Sequence, residues 1–197
     1  MSSSTQSPTH LPVIAFEKQE DWADWLEDHH ANANGIWVRL AKKASGLQSL
    51  SYDEALDVAL CYGWIDSQKK GFDDQWWLQE FTPRRARSIW SKRNRQTAER
   101  LIASGEMKPS GLRTVEEAKE NGQWDKAYDP PSTATVPDDF RKELDKNEGA
   151  KIFFASLNSR NRYAILHRIQ TAKKPQTRKK RIQRSIEMLK KNEKIYP

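Results

Sequence analysis

An α+β fold, with a small antiparallel sheet packed among helices and an all-helical module after it, is what three features of this sequence predict. Strand-like runs such as "GIWVRLAKK" and "QWWLQEFTP" lie in the first half of the chain. Helical periodicity surrounds them, and beyond the proline-rich "DPPSTATVPDD" every segment reads as helix. With 197 residues, 36% of them hydrophobic, and eight tryptophans, the chain has enough apolar surface to bury a core.

The elements follow in order. "FEKQEDWADWLEDHH" sets Trp22, Trp25, Leu26 and His29 on one helical face, with Glu20 and Asp21 near the positive end of the helix dipole. "GIWVRLAKK" is strand-like. In "SLSYDEALDVALCYG" the Ser51 and Glu54 pair has capping-box spacing and Gly63 terminates a helix from about Tyr52 to Tyr62. "WIDSQKK" and "QWWLQEFTP" flank "GFDD" and should pair as a hairpin. Its expected register sets Lys70 opposite Gln75, Trp64 opposite Phe81 and Asp66 opposite Gln79. "SIWSKRNRQTAERLIASG" is a helix to be capped by Ser88 or Ser91, and "TVEEAKENG" a shorter one with Thr114 and Glu117 in capping-box spacing. Four helices complete the chain, and Ile182, Ile186 and Leu189 give the last of them a narrow apolar stripe. The domains expected are a flexible tail over 1–15, an α+β domain over 16–128, a linker over 129–137 and a basic helical module over 138–197.

Charge is unevenly placed. From Asn158 to Pro197 there are 13 Lys or Arg against Glu187 and Glu193, a net +11, whereas residues 1–157 carry a net −4 within the overall +7. A single cysteine, Cys61, excludes an internal disulfide and suits a reducing, cytoplasmic compartment. The N-terminus has neither the basic start nor the apolar stretch of a secretory signal, and no run approaches the roughly 18 apolar residues of a membrane span. No cofactor or metal is expected. A glycine-rich phosphate loop and a His-Glu-x-x-His pair are both missing, and adjacent His29 and His30 point to different helix faces.

Blocks such as "ALCYGWIDS", "FTPRRARSIWSKRN", "AKENGQWDKAY" and "FFASLNSRNRYAILHRIQTAKKPQTRKKRIQRSIEML" resemble, in order from about residue 16 to 190, the YdeI/OmpD-associated family of bacteriocin-protection proteins. The last block is similar to that family's helical OmdA module, its signature being Ala172-Lys173, Thr177-Arg178 and Arg181-Ile182. The resemblance implies a soluble protein linked to tolerance of antimicrobial peptides, and supplies no reaction.

Three groups of residues carry functional expectations. Cys61, Tyr62, Trp64 and Asp66 follow one another where a helix meets a strand, and either line a pocket or fill a packed corner. A catalytic Cys61 would need a base and an electropositive setting, neither of which is visible, so packing is the favoured reading for Cys61 and Trp64. Arg84, Arg85, Ser88, Trp90, Ser91 and Asn94 crowd a strand end against a helix start, where guanidiniums and free N–H groups suit a small anion. Together with Asp66, Tyr62 and Trp64 they form the candidate anion site, against the plainer reading of caps and internal ion pairs. Arg178, Lys179, Lys180, Arg181 and Arg184 form the candidate surface for a nonspecific polyanion, either nucleic acid or an anionic membrane face. Binding rather than catalysis is therefore expected. The alternative is an enzyme for a small anionic substrate in a pocket between the 52–62 helix and the 64–82 hairpin.

Overall fold

A computed structural model describes residues 11–197. The tail expected over 1–15 falls largely outside these residues, but its last portion does not: Val13–Ala15 is a strand, β1. The chain divides into two compact units, one made of the residues up to Ser88 with Gln96–Asp125, the other of Ile89–Arg95 with Lys126–Pro197.

The first unit holds a four-stranded sheet in the order β1-β2-β4-β3, with β2 at Ile36–Ala41, β3 at Trp64–Gly71 and β4 at Trp76–Pro83. The β1–β2 pair is parallel and the others antiparallel. Alternation along β2 buries Ile36, Val38 and Leu40 toward the core. Against that face lie α1 (Gln19–His29) and α2 (Tyr52–Cys61), through Trp22, Leu26, Leu56 and Leu60. Trp22 sits between Phe81 and Trp64, with ring centroids 5.7 and 6.4 Å away. Its indole N–H donates to the Ala55 carbonyl at 3.0 Å, and that of Trp64 to the His30 carbonyl at 3.2 Å, so neither buried donor is orphaned. On the other face Lys70 lies 4.2 Å from the centre of the Trp37 ring and Arg39 lies 4.7 Å from that of Trp76.

Ser51 forms the expected capping box, its Oγ accepting from the Glu54 N–H while the Glu54 carboxylate accepts from the Ser51 N–H. The hairpin register differs from expectation. Trp64 pairs with Pro83 and Asp66 with Phe81, and beyond a bulge between Asp66 and Lys69 the partner of Lys70 is Leu78. The cause is Asp73, whose carboxylate accepts from the N–H groups of Gln75 and Trp76, both at 2.8 Å, and so holds those residues in or beside the turn. Ser91, rather than Ser88, caps α3 (Lys92–Ala103) by accepting from the Asn94 N–H. The next helix, α4, runs Pro109–Glu120 and so starts five residues before the expected Thr114, because Pro109 occupies its first position.

The second unit contains α5 (Asp138–Asp145), α6 (Glu148–Ser156), α7 (Ser159–Gln170) and α8 (Pro175–Lys190). Phe140 and Phe154 meet edge to face at 5.4 Å, and Ile165, Ile169, Ile186 and Leu189 close around them. The stripe foreseen on α8 is buried as Ile182, Ile186 and Leu189.

Candidate functional site

The group of Cys61, Tyr62, Trp64 and Asp66 separates. Trp64 is fully buried against Trp22 and Trp25 of α1, and Asp66 accepts a hydrogen bond from the Tyr52 hydroxyl at 2.9 Å, which ties α2 to the hairpin. Tyr62 and Cys61 instead line a cleft of about 520 Å³ whose walls carry Glu20, Asp24, Glu27 and Glu106. Tyr62 donates to Glu27 at 2.8 Å, which with nearby Lys108 holds that carboxyl below its ordinary range. An anion would be repelled there. Burial, reinforced by Glu106 and Asp57, pushes the Cys61 thiol up to about 11, so at neutral pH the nucleophilic thiolate is scarce.

The residues of the strand-end corner fall in both units. In the first, Arg84, Arg85 and Ser88 line a cleft of about 570 Å³ with Ser67, Thr82 and Glu80. Ser67 donates to the Glu80 carboxylate, which places a negative charge in the wall. In the second, Trp90 is buried, and Ser91 and Asn94 are buried as a helix cap. Those three residues hold backbone and core together rather than present polar groups to solvent.

Cations gather in the basic module. Arg178 is engaged internally, donating to Asp139 at 2.6 and 2.8 Å and to the Ile169 carbonyl at 3.0 Å. That contact holds the Asp139 carboxyl below its usual range. Lys179 and Lys180 are exposed. Arg181 and Arg184, one helical turn apart on α8, join Arg168 of α7 in the walls of a cleft of about 430 Å³, completed by Ser185, Met188 and Ile195. Arg181 reaches across to the Arg168 carbonyl, which draws α7 and α8 together at this point. Among the described residues lining this cleft there is no carboxylate.

Arg168 was not among the expected residues. Its contact with Arg181 spans two helices, and linear spacing carries no signal for such a contact. Among the described residues, no group of three or more His, Cys, Asp or Glu side chains is placed to hold a metal ion. No helix among them is long and apolar enough to cross a membrane.

A family model described as "Bacteriocin-protection, YdeI or OmpD-Associated" matches residues 133–192, the span that holds the three arginines of the basic cleft. Residues 133–192 of the chain belong to the YdeI/OmpD-associated family. A second model, "Domain of unknown function (DUF8412)", matches residues 14–114, just over half of the chain, and covers the sheet except for Val13. No curated protein and no solved structure matches it.

Proposed function

We propose that this protein is a binding protein for a polyanion, which it takes in the cleft of Arg168, Arg181 and Arg184. The observation that carries this reading is that three guanidiniums line one cleft without a carboxylate among the described lining residues. Other cations are paired with carboxylates: Arg178 with Asp139, Lys92 with Asp129, Arg100 with Asp57 and Lys151 with Asp145. Like charges held close repel, and a bound anion relieves the repulsion while releasing counterions from both partners. Catalysis does not enter the reading, because Cys61 is a buried thiol in an acidic cleft. The same reading places the protein in a reducing, cytoplasmic setting, which suits that free thiol. In a family described by bacteriocin protection, the function proposed for the module is thus to engage an anionic polymer rather than to transform a peptide.

Fluorescence anisotropy with a labelled duplex, and sedimentation with phosphatidylglycerol vesicles, test the reading at about 50 and about 200 mM salt. Binding to at least one probe is expected at the lower salt, weakening roughly tenfold or more at the higher. R168Q/R184Q, which alters two exposed side chains, should lose most of the affinity without shifting the melting temperature. Absence of binding to both probes, or full binding by the variant, would sink the proposal.

A second reading has one observation in its favour. The Arg84–Arg85 cleft adds the hydroxyls of Ser67, Thr82 and Ser88 to its guanidiniums, a set suited to a small anion, with Glu80 opposing.

A further inference from the structure

We infer that the polyanion is single-stranded nucleic acid, its phosphates held by Arg168, Arg181 and Arg184 and its bases received in a neighbouring aromatic cleft; this rests on the polyanion reading above. The second cleft, also about 430 Å³, is lined by Arg160, Tyr163, His167 and Tyr196 with Pro131, and it shares Arg168 with the basic cleft. Helical spacing explains the arrangement. Arg160, Tyr163 and His167 recur at three- and four-residue intervals along α7, so one helix face supplies a cation and two rings, and the shared Arg168 follows directly after His167.

The remaining ring comes from the 195–196 segment. Buried Asn161 fixes that segment, its Oδ1 accepting from the N–H groups of Ile195 and Tyr196 at 3.0 and 2.9 Å and its Nδ2 donating to the Tyr196 carbonyl at 3.2 Å. As a result Ile195 lines the basic cleft and Tyr196 the aromatic one. Arg160 lies over the Tyr196 ring at 4.3 Å, and the Tyr163 and His167 rings are 5.6 Å apart. The Tyr163 hydroxyl is held by the Asp129 carbonyl at 3.0 Å. Burial and Arg181 lower the pKa of His167, so near neutrality it is an uncharged ring rather than a further cation.

Planar walls beside a row of guanidiniums match one class of polyanion better than the rest. A duplex keeps its bases stacked against each other and offers a nonspecific partner phosphates alone, and a membrane face has no planar groups at all. A single strand offers unstacked bases and phosphates together, and aromatic side chains next to a basic groove are how such strands are held without sequence preference.

The test compares, on the full-length protein, a labelled oligothymidylate with an abasic strand of equal length and charge, alongside a duplex and phosphatidylglycerol vesicles. The base-bearing strand should bind about tenfold or more tightly than the abasic strand. Y196A should remove most of that difference, and Y196F should keep it. Equal affinity for the two strands, or tighter binding to duplex or vesicles, overturns this inference while leaving the polyanion reading intact. Absence of binding to every probe removes both.

Discussion

His167 lies between two tyrosines, 4.7 Å from the Tyr128 ring and 5.6 Å from that of Tyr163, on the wall of the aromatic cleft. Burial disfavours its charged form, and the Arg181 guanidinium adds to the effect, so its pKa is lowered from 6.5. The unfolded chain, which lacks both influences, takes up the proton more readily. Its contribution to stability is therefore present above pH 6.5 and is lost as pH falls below that value, because in the acid window the unfolded state binds more protons than the folded state. Urea unfolding followed between pH 7.5 and pH 5, roughly spanning the ordinary histidine range, should show stability falling toward acid, with H167Q flattening that slope. Identical slopes in the wild type and H167Q would contradict the account of this side chain. Because His167 is not fully buried, solvent screening keeps the effect modest.

At the level of elements, α4 meets the end of α2 at a distance that glycine alone allows. A Cβ on Gly111 would lie 2.3 Å from the Cys61 carbonyl oxygen and 2.5 Å from the Met107 sulfur. Gly63, with φ +76, turns the chain out of α2 in the left-handed region, and a Cβ there would meet Thr114 at 2.7 Å and the Ser110 carbonyl at 2.9 Å. Backbone obstructs both positions. G111A should accordingly cost about 1–3 kcal/mol, as overpacking does, read as a lower urea midpoint with an unchanged slope. A cost within experimental error would mean that the two helices separate freely.

The same elements mark how far the sequence could be read. Ser51 with Glu54 and Gly63 bounded α2 because capping and positive φ are local chemistry, set by a few adjacent residues. The stripe of Ile182, Ile186 and Leu189 was equally legible, since one helical face buries as a unit. The hairpin register was not, because it depends on how far the Asp73 turn extends and on a bulge that alternation alone does not announce. Strand β1, three residues of Val13–Ala15, is too short for periodicity and owes its existence to pairing with β2. The site divides in the same way. Arg181 and Arg184 could be found from their helix, whereas Arg168 and Tyr196 join them through contacts between α7, α8 and the Asn161-bound segment.

For the molecule as a whole, the net +11 over 158–197 against the net −4 over 1–157 gives the chain an electrical polarity along its length. The acidic stretch includes a cleft walled by Glu20, Asp24, Glu27 and Glu106, whereas three arginines wall a cleft in the basic stretch. A polyanion should therefore be drawn to the arginine cleft and repelled from the glutamate cleft. The measurement that bears most directly on this claim is a backbone amide NMR titration of the full-length protein with a short oligothymidylate at low salt. Shifts are predicted for Arg168, Arg181, Arg184 and Tyr196, with the residues around Arg84 and Ser88 unmoved. Shifts confined to Arg84, Arg85 and Ser88, or no shifts at all, would contradict it.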